Sequence, residues 1–120
     1  MRAGMAAIAS GLLLAVLADS HAATKLTSSE IQATFFNGQP FTAATPSGVK
    51  FKMVFHPDGK MTREPVARAG AKGEGTWKLD KDGFCTTWAS QKASCFAVLA
   101  SGQNKWSIMK ASTLIAVWSK

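Results

Sequence analysis

Turn signals recur at intervals close to ten residues, and this spacing restricts the possible fold more than any other feature of the chain. They are Pro46-Ser47-Gly48, Pro57-Asp58-Gly59, the glycine-rich stretch Gly70 to Gly75, Asp80-Lys81-Asp82-Gly83, Ser90 to Ser94, Ser101-Gly102-Gln103-Asn104 and Lys110-Ala111-Ser112. The gaps leave room for strands of about four to seven residues and almost no connections. Parallel neighbours need crossovers of about a dozen residues, so the sheet must be mainly antiparallel. Strands are expected near 39–44, 49–56, 60–67, 75–79, 84–89, 95–99, 105–109 and 113–118. Within the second of these, Val49, Phe51, Met53 and Phe55 alternate with Lys50, Lys52 and Val54, the period of a half-buried strand. Eight short strands, each paired with the next, make a meander. Closing it removes exposed edges, so the expected fold is all-β: a small antiparallel barrel or strongly curled sheet with one short N-terminal helix.

That helix is expected over 28–36. Thr27-Ser28-Ser29-Glu30 has the spacing of a capping box, and Leu26 and Ile31 fall where a hydrophobic staple sits. Ile31 and Phe35 share one face, and Asn37-Gly38 supplies the stop.

Two hairpin registers follow from turn chemistry. Pro57-Asp58-Gly59 suits a three-residue loop, a type I turn closed by a left-handed glycine. His56 then faces Lys60, Lys52 faces Glu64, and Arg63 lies across from Met53 on the inner side. An inward arginine is expensive without a partner. It is an interior ion pair, a ligand contact or a sign of a slipped register. In the second hairpin, a three-residue loop centred on Ser90 sets Cys85 opposite Cys95, within reach of a disulfide, and places Phe84 and Phe96 on the core side. The core is expected to contain Ile31, Phe35, Phe51, Met53, Phe55, Trp77, Phe84, Trp88, Phe96, Val98, Trp106 and Ile108.

Residues 1–22 have the layout of a secretory signal peptide. Arg2 precedes an apolar run over 5–18, and Ser20 and Ala22 stand where a signal peptidase reads. The run is shorter than the roughly 20 residues of a permanent transmembrane helix, so no membrane anchor is expected. Cleavage near Ala22 leaves a single domain, 23–120, in the periplasm or secreted. Cys85 and Cys95 are the only cysteines, and outside the cytoplasm nothing keeps such a pair reduced.

The whole chain carries a net charge of +7, and losing Arg2 with Asp19 leaves that value unchanged. Acidic partners are favoured, such as an anionic envelope component or an acidic protein, and export argues against nucleic acid. Catalytic machinery is not evident. His56 is the only histidine after residue 22, no Gly-x-Ser-x-Gly or phosphate loop accompanies it, and Asp80 and Asp82 are explained as turn residues. Met53, His56 and Met61 offer soft copper ligands, but ordinary packing explains both methionines. No cofactor or metal is expected, and the chain is read as a non-enzyme. The candidate ligand site is an internal cavity lined by Met53, Trp77, Trp88 and Trp106, with Arg63 turned inward.

The opening Leu26-Thr27-Ser28-Ser29-Glu30-Ile31, the Phe55-x-Pro57-Asp58-Gly59 turn, Gly75-Thr76-Trp77, Cys85-x-x-Trp88 and Cys95-Phe96 together span most of 26–118. In this pattern the chain resembles small exported proteobacterial β-domains of unknown function. The resemblance implies a periplasmic or secreted β-domain and supplies no activity. More loosely, Gly75-Thr76-Trp77 is similar to the Gly-x-Trp element of lipocalin-like barrels, and with one disulfide to periplasmic barrel inhibitors of secreted proteases. The expected function is binding of an apolar or amphiphilic ligand or an anionic envelope component. A protein inhibitor of a hydrolase, and a purely structural envelope protein, are the alternatives.

Overall fold

The structure, a computed structural model, describes residues 24–67 and 70–120. The signal peptide expected over residues 1–22 and its cleavage point lie outside the described residues. Two-residue β1 (Thr24–Lys25) precedes helix α1 (Ser28–Phe35). Strands β2 (Phe41–Ala44), β3 (Lys50–Phe55), β4 (Lys60–Pro65), β5 (Gly73–Asp80), β6 (Gly83–Trp88), β7 (Ser94–Gly102), β8 (Lys105–Lys110) and β9 (Thr113–Ser119) follow. Each of β2 to β9 pairs antiparallel with the next, and β9 returns to β2, which closes an eight-stranded barrel. β1 was not anticipated. It pairs with the far half of β7, Thr24 against Ala100 and Lys25 against Leu99, which β6 leaves free. β5 begins two residues earlier, and β7 ends three residues later, than the turn signals suggested.

Local chemistry accounts for the first hairpin. His56 N–H donates to Lys60 O at 2.8 Å, Gly59 N–H donates to His56 O at 3.0 Å, and Gly59 takes φ 95°. Asp58 Oδ1 accepts from Lys60 N–H at 3.0 Å. The register is the expected one: Lys52 opposite Glu64, Met53 opposite Arg63 and Phe55 opposite Met61.

The second hairpin keeps its expected register, with Cys85 opposite Cys95 and Phe84 opposite Phe96. The cysteines form a disulfide with Cα atoms 3.9 Å apart. The loop is longer than the three residues expected. The β6–β7 ladder stops at Thr86 and Ser94, and Thr87 and Trp88 pair only with β5. A turn from Trp88 O to Gln91 N–H, with Ser90 at φ 66°, carries the chain around.

α1 plugs one end of the barrel. The capping box forms in full: Thr27 Oγ1 accepts from Glu30 N–H, and Glu30 Oε1 accepts from Thr27 N–H at 2.8 Å. The helix ends at Phe35 with Phe36 as its C-cap, and Gly38, at φ 85°, turns the chain beyond it and donates to Phe55 O. The barrel wall binds both flanks, through Leu26 N–H to Val98 O and Lys120 Nζ to Thr34 O. Phe35 meets Phe41, Trp106 and Trp118 edge-on, with centroids 4.9–5.0 Å away. Phe36 stacks on Phe55 at 4.6 Å and packs against Trp77 at 4.3 Å. Phe36 was absent from the expected core because helical spacing assigns adjacent residues to different faces. As the C-cap it leaves helical geometry (φ −101°, ψ 47°), and both rings enter the barrel. Phe41 and Trp118 are buried beside them, and Phe51, Trp77, Trp88, Phe96 and Trp106 are partly buried around this core.

Candidate functional site

The hairpins alternate between the two barrel ends. The turns after β3, β5 and β7 lie at the end that α1 fills, and those after β2, β4, β6 and β8 surround the other end, the mouth. A cavity of about 140 Å³ opens there. Phe55, Phe84 and Trp118 form its floor, Met53, Phe96 and Ile108 its walls, and Arg63, Phe51, Trp88 and Ile115 its rim.

Arg63 reaches this rim because the Pro57-Asp58-Gly59 turn fixes its register against Met53. Its other neighbour is a bare strand. Arg63 pairs with Gly73, and Trp88 pairs with Gly75, so two inward positions of β5 carry no side chain. A Cβ on Gly73 would stand 2.9 Å from Arg63 Nε and 3.3 Å from the Trp88 ring, so the guanidinium and indole fill that space. The Arg63 guanidinium carbon lies 4.5 Å from the Trp88 ring centroid and 5.2 Å from that of Phe51. Each such cation–π contact contributes about 0.5–2 kcal/mol, more as water is excluded. The loop after β4 lies on Phe51: a Cβ on Gly70 would come 2.8 Å from its ring.

The aromatic contacts satisfy the charge only through the face of the guanidinium. Arg63 Nε is shielded from solvent and has no hydrogen-bond partner among the described residues. A planar guanidinium held between rings presents its N–H edge, which matches the two oxygens of a carboxylate.

Of the five expected ligand-site residues, the structure brings Arg63, Met53 and Trp88 together at the cavity. Trp77 and Trp106 lie at the plugged end instead. Trp77 donates its Nε1–H to His56 O at 2.8 Å beneath Phe36, and Trp106 packs on Phe35. Sequence reasoning assigned Phe51 only to the core and missed the part of Gly73 and Gly75. Their signal was present: Gly73, Gly75 and Trp77 alternate along one strand face, so a gap beside a large ring was legible.

The other candidate groups considered from the sequence do not come together as a site among the described residues. His56 holds the first turn through its backbone. Met53 and Met61 are buried in the core. Asp80 lies near Cys85 and Cys95, with ligand atoms within 4.8 Å of one another, but sulfurs joined in a disulfide are not thiolate ligands. No protein family, curated protein or solved structure matches this chain.

Proposed function

We propose that this chain is a non-catalytic exported barrel that binds a compact anionic amphiphile, with the anion on the Arg63 edge and the apolar part in the cavity. The observation that carries this reading is the aromatic-clamped guanidinium, with Nε shielded and unpartnered, above a cavity with an almost wholly apolar lining. Nε is packed toward Gly73 and closed to solvent, so the ligand anion meets the outer, Nη edge of the guanidinium that the two rings hold in place. The cavity limits the ligand. Drug-sized ligands occupy about 300–1,000 Å³, whereas a cavity near 150 Å³ accommodates benzene. At about 140 Å³ the interior suits a single ring or a short alkyl chain. The disulfide fits an oxidising compartment, in keeping with the export reading of residues 1–22. Periplasmic or secreted location and the family resemblance stand with this proposal.

Titration with benzoate and hexanoate, followed by calorimetry and tryptophan fluorescence, tests the reading. Both should bind the parent chain, and benzyl alcohol, which lacks the anion, should bind at least tenfold more weakly. Arg63→Met should abolish carboxylate binding while melting near the parent temperature or higher, because the loss of the two cation–π contacts is offset by removal of an unpaired buried polar atom and by thioether contacts with the same rings. Equal carboxylate binding by Arg63→Met, or none by the parent, overturns the proposal.

A further inference from the structure

We infer that the mouth of the barrel is a docking surface for an anionic lipid bilayer. Three large apolar side chains are exposed among the described residues: Val66 at 63%, Leu114 at 39% and Ile115 at 36%. All three stand at the mouth, Val66 just beyond β4 and the other two near the start of β9. A register irregularity makes the second pair possible. Ile108 pairs with Ala116 and Met109 with Leu114, so Ile115 is an extra residue, and two consecutive aliphatic side chains stay exposed at one rim.

Charge follows the same division. The connections at the mouth, 45–49, 66–72, 89–93 and 111–112, contain no carboxylate. Lys72 and Lys92 are exposed there, and Lys110 is exposed at the end of β8. The connections at the plugged end contain Asp58 and Asp82 beside Lys81, so it is the absence of carboxylates rather than the presence of lysine that sets the mouth apart. Glu64 and Glu74 are the acidic residues nearest the mouth. They point outward from β4 and β5, opposite Lys52 and Thr62. A rim of aliphatic side chains set among lysines matches the boundary of an anionic membrane, where the aliphatics enter the headgroup layer and the ammonium groups meet phosphate. An acidic polypeptide would engage the lysines but would leave the exposed aliphatics without a role.

Docking goes beyond the ligand reading and stands without it. Cosedimentation with vesicles of equal parts phosphatidylglycerol and phosphatidylcholine tests it, with pure phosphatidylcholine as the reference. The full exported chain should bind the anionic vesicles and not the neutral ones. Each lysine near such a surface contributes about fivefold to partitioning, so Lys72→Ala with Lys92→Ala should weaken binding about 25-fold. Lys81→Ala with Lys105→Ala, at the plugged end, should change it by less than about twofold, since charges beyond roughly 10 Å are screened. Val66→Asp with Leu114→Asp should remove binding. None of these six positions lines the cavity, and circular-dichroism melting of the same variants checks that they fold whether or not benzoate binds, which keeps the two readings separate. Lack of binding to anionic vesicles, or equal weakening by the two lysine pairs, overturns the docking surface. So does indifference to Val66→Asp and Leu114→Asp with full competition by polyglutamate, which would assign the rim to an acidic polypeptide.

Discussion

At the scale of single residues, the candidate site is made by side chains that are missing. Gly73 and Gly75 occupy inward positions of β5, where any Cβ would meet its neighbours, but the neighbours differ. At Gly75 a Cβ would fall 2.5 Å from Thr87 O and 3.1 Å from Trp88 Cα, both backbone atoms of the paired strand. At Gly73 it would meet only the Arg63 side chain and the Trp88 ring, which can turn aside. Gly75→Ala should therefore destabilise by about 1–3 kcal/mol or more, the usual cost of overpacking. Gly73→Ala should leave stability closer to the parent while shifting Trp88 emission and weakening carboxylate binding. Urea titration and fluorescence of the two variants measure the contrast. Equal stability losses would mean that Arg63 and Trp88 are held as rigidly as the backbone. Arg63 itself follows the same logic: its inward position was legible from one turn, but its clamp was not, because Trp88 lies 25 residues away and reaches it across β5.

At the scale of elements, two short devices hold the sheet in register. The Pro57-Asp58-Gly59 turn acts through local geometry, and Trp77 fastens it by donating Nε1–H to His56 O and its backbone N–H to Gly59 O. The Cys85–Cys95 bridge acts through the chain's entropy, joining residues separated by ten positions. It lies where the β6–β7 ladder has few backbone pairs, since that ladder spans only Phe84 to Thr86. Closing so short a loop contributes about 2–3 kcal/mol in the chain-entropy model. Cys85→Ala with Cys95→Ala should therefore lower the urea-extrapolated stability by that amount. For a domain of roughly 100 residues this corresponds to a fall in melting temperature of about 10–20 °C. A change below about 0.5 kcal/mol would mean that the ladder and the barrel closure suffice without the bridge. Core packing on the inner side should survive, because the sulfurs face away from Phe84 and Phe96.

At the scale of the molecule, β9 pairing with β2 removes the two edges that an open meander would expose to other chains. The helix then fills one end with Phe35 and Phe36, and the other end is left as the cavity. This division leaves the barrel one open end, and the proposed export would present that end outside the cytoplasm. Intact-mass measurement on protein taken from its own compartment tests that reading. The chain should begin at Ala23 and resist alkylation until it is reduced. A retained residue 1–22 segment would overturn export, and thiols that alkylate without reduction would overturn the bridge in that compartment.

Residues close together in the chain determined much of this protein by themselves. Turn residues set the eight barrel strands and their antiparallel order, Thr27 with Glu30 started the helix, one tight hairpin placed Arg63 inward, and the turn around Ser90 set Cys85 opposite Cys95 although its loop is longer than expected. Each depends on dihedral preferences or hydrogen bonds within a few positions, which a sequence displays directly. Only the tertiary structure decided which aromatic rings fill the barrel and which line its mouth. Trp77 and Trp106 share the inward face with Trp88, yet they lie beneath the plug. Phe36 joins them because the helix ends one residue before it. Barrel closure and the entry of α1 set depth along the barrel, and depth has no counterpart in a period of two. The alternation of a strand tells which side of the sheet a residue faces, and the folded barrel tells how far from the opening it stands.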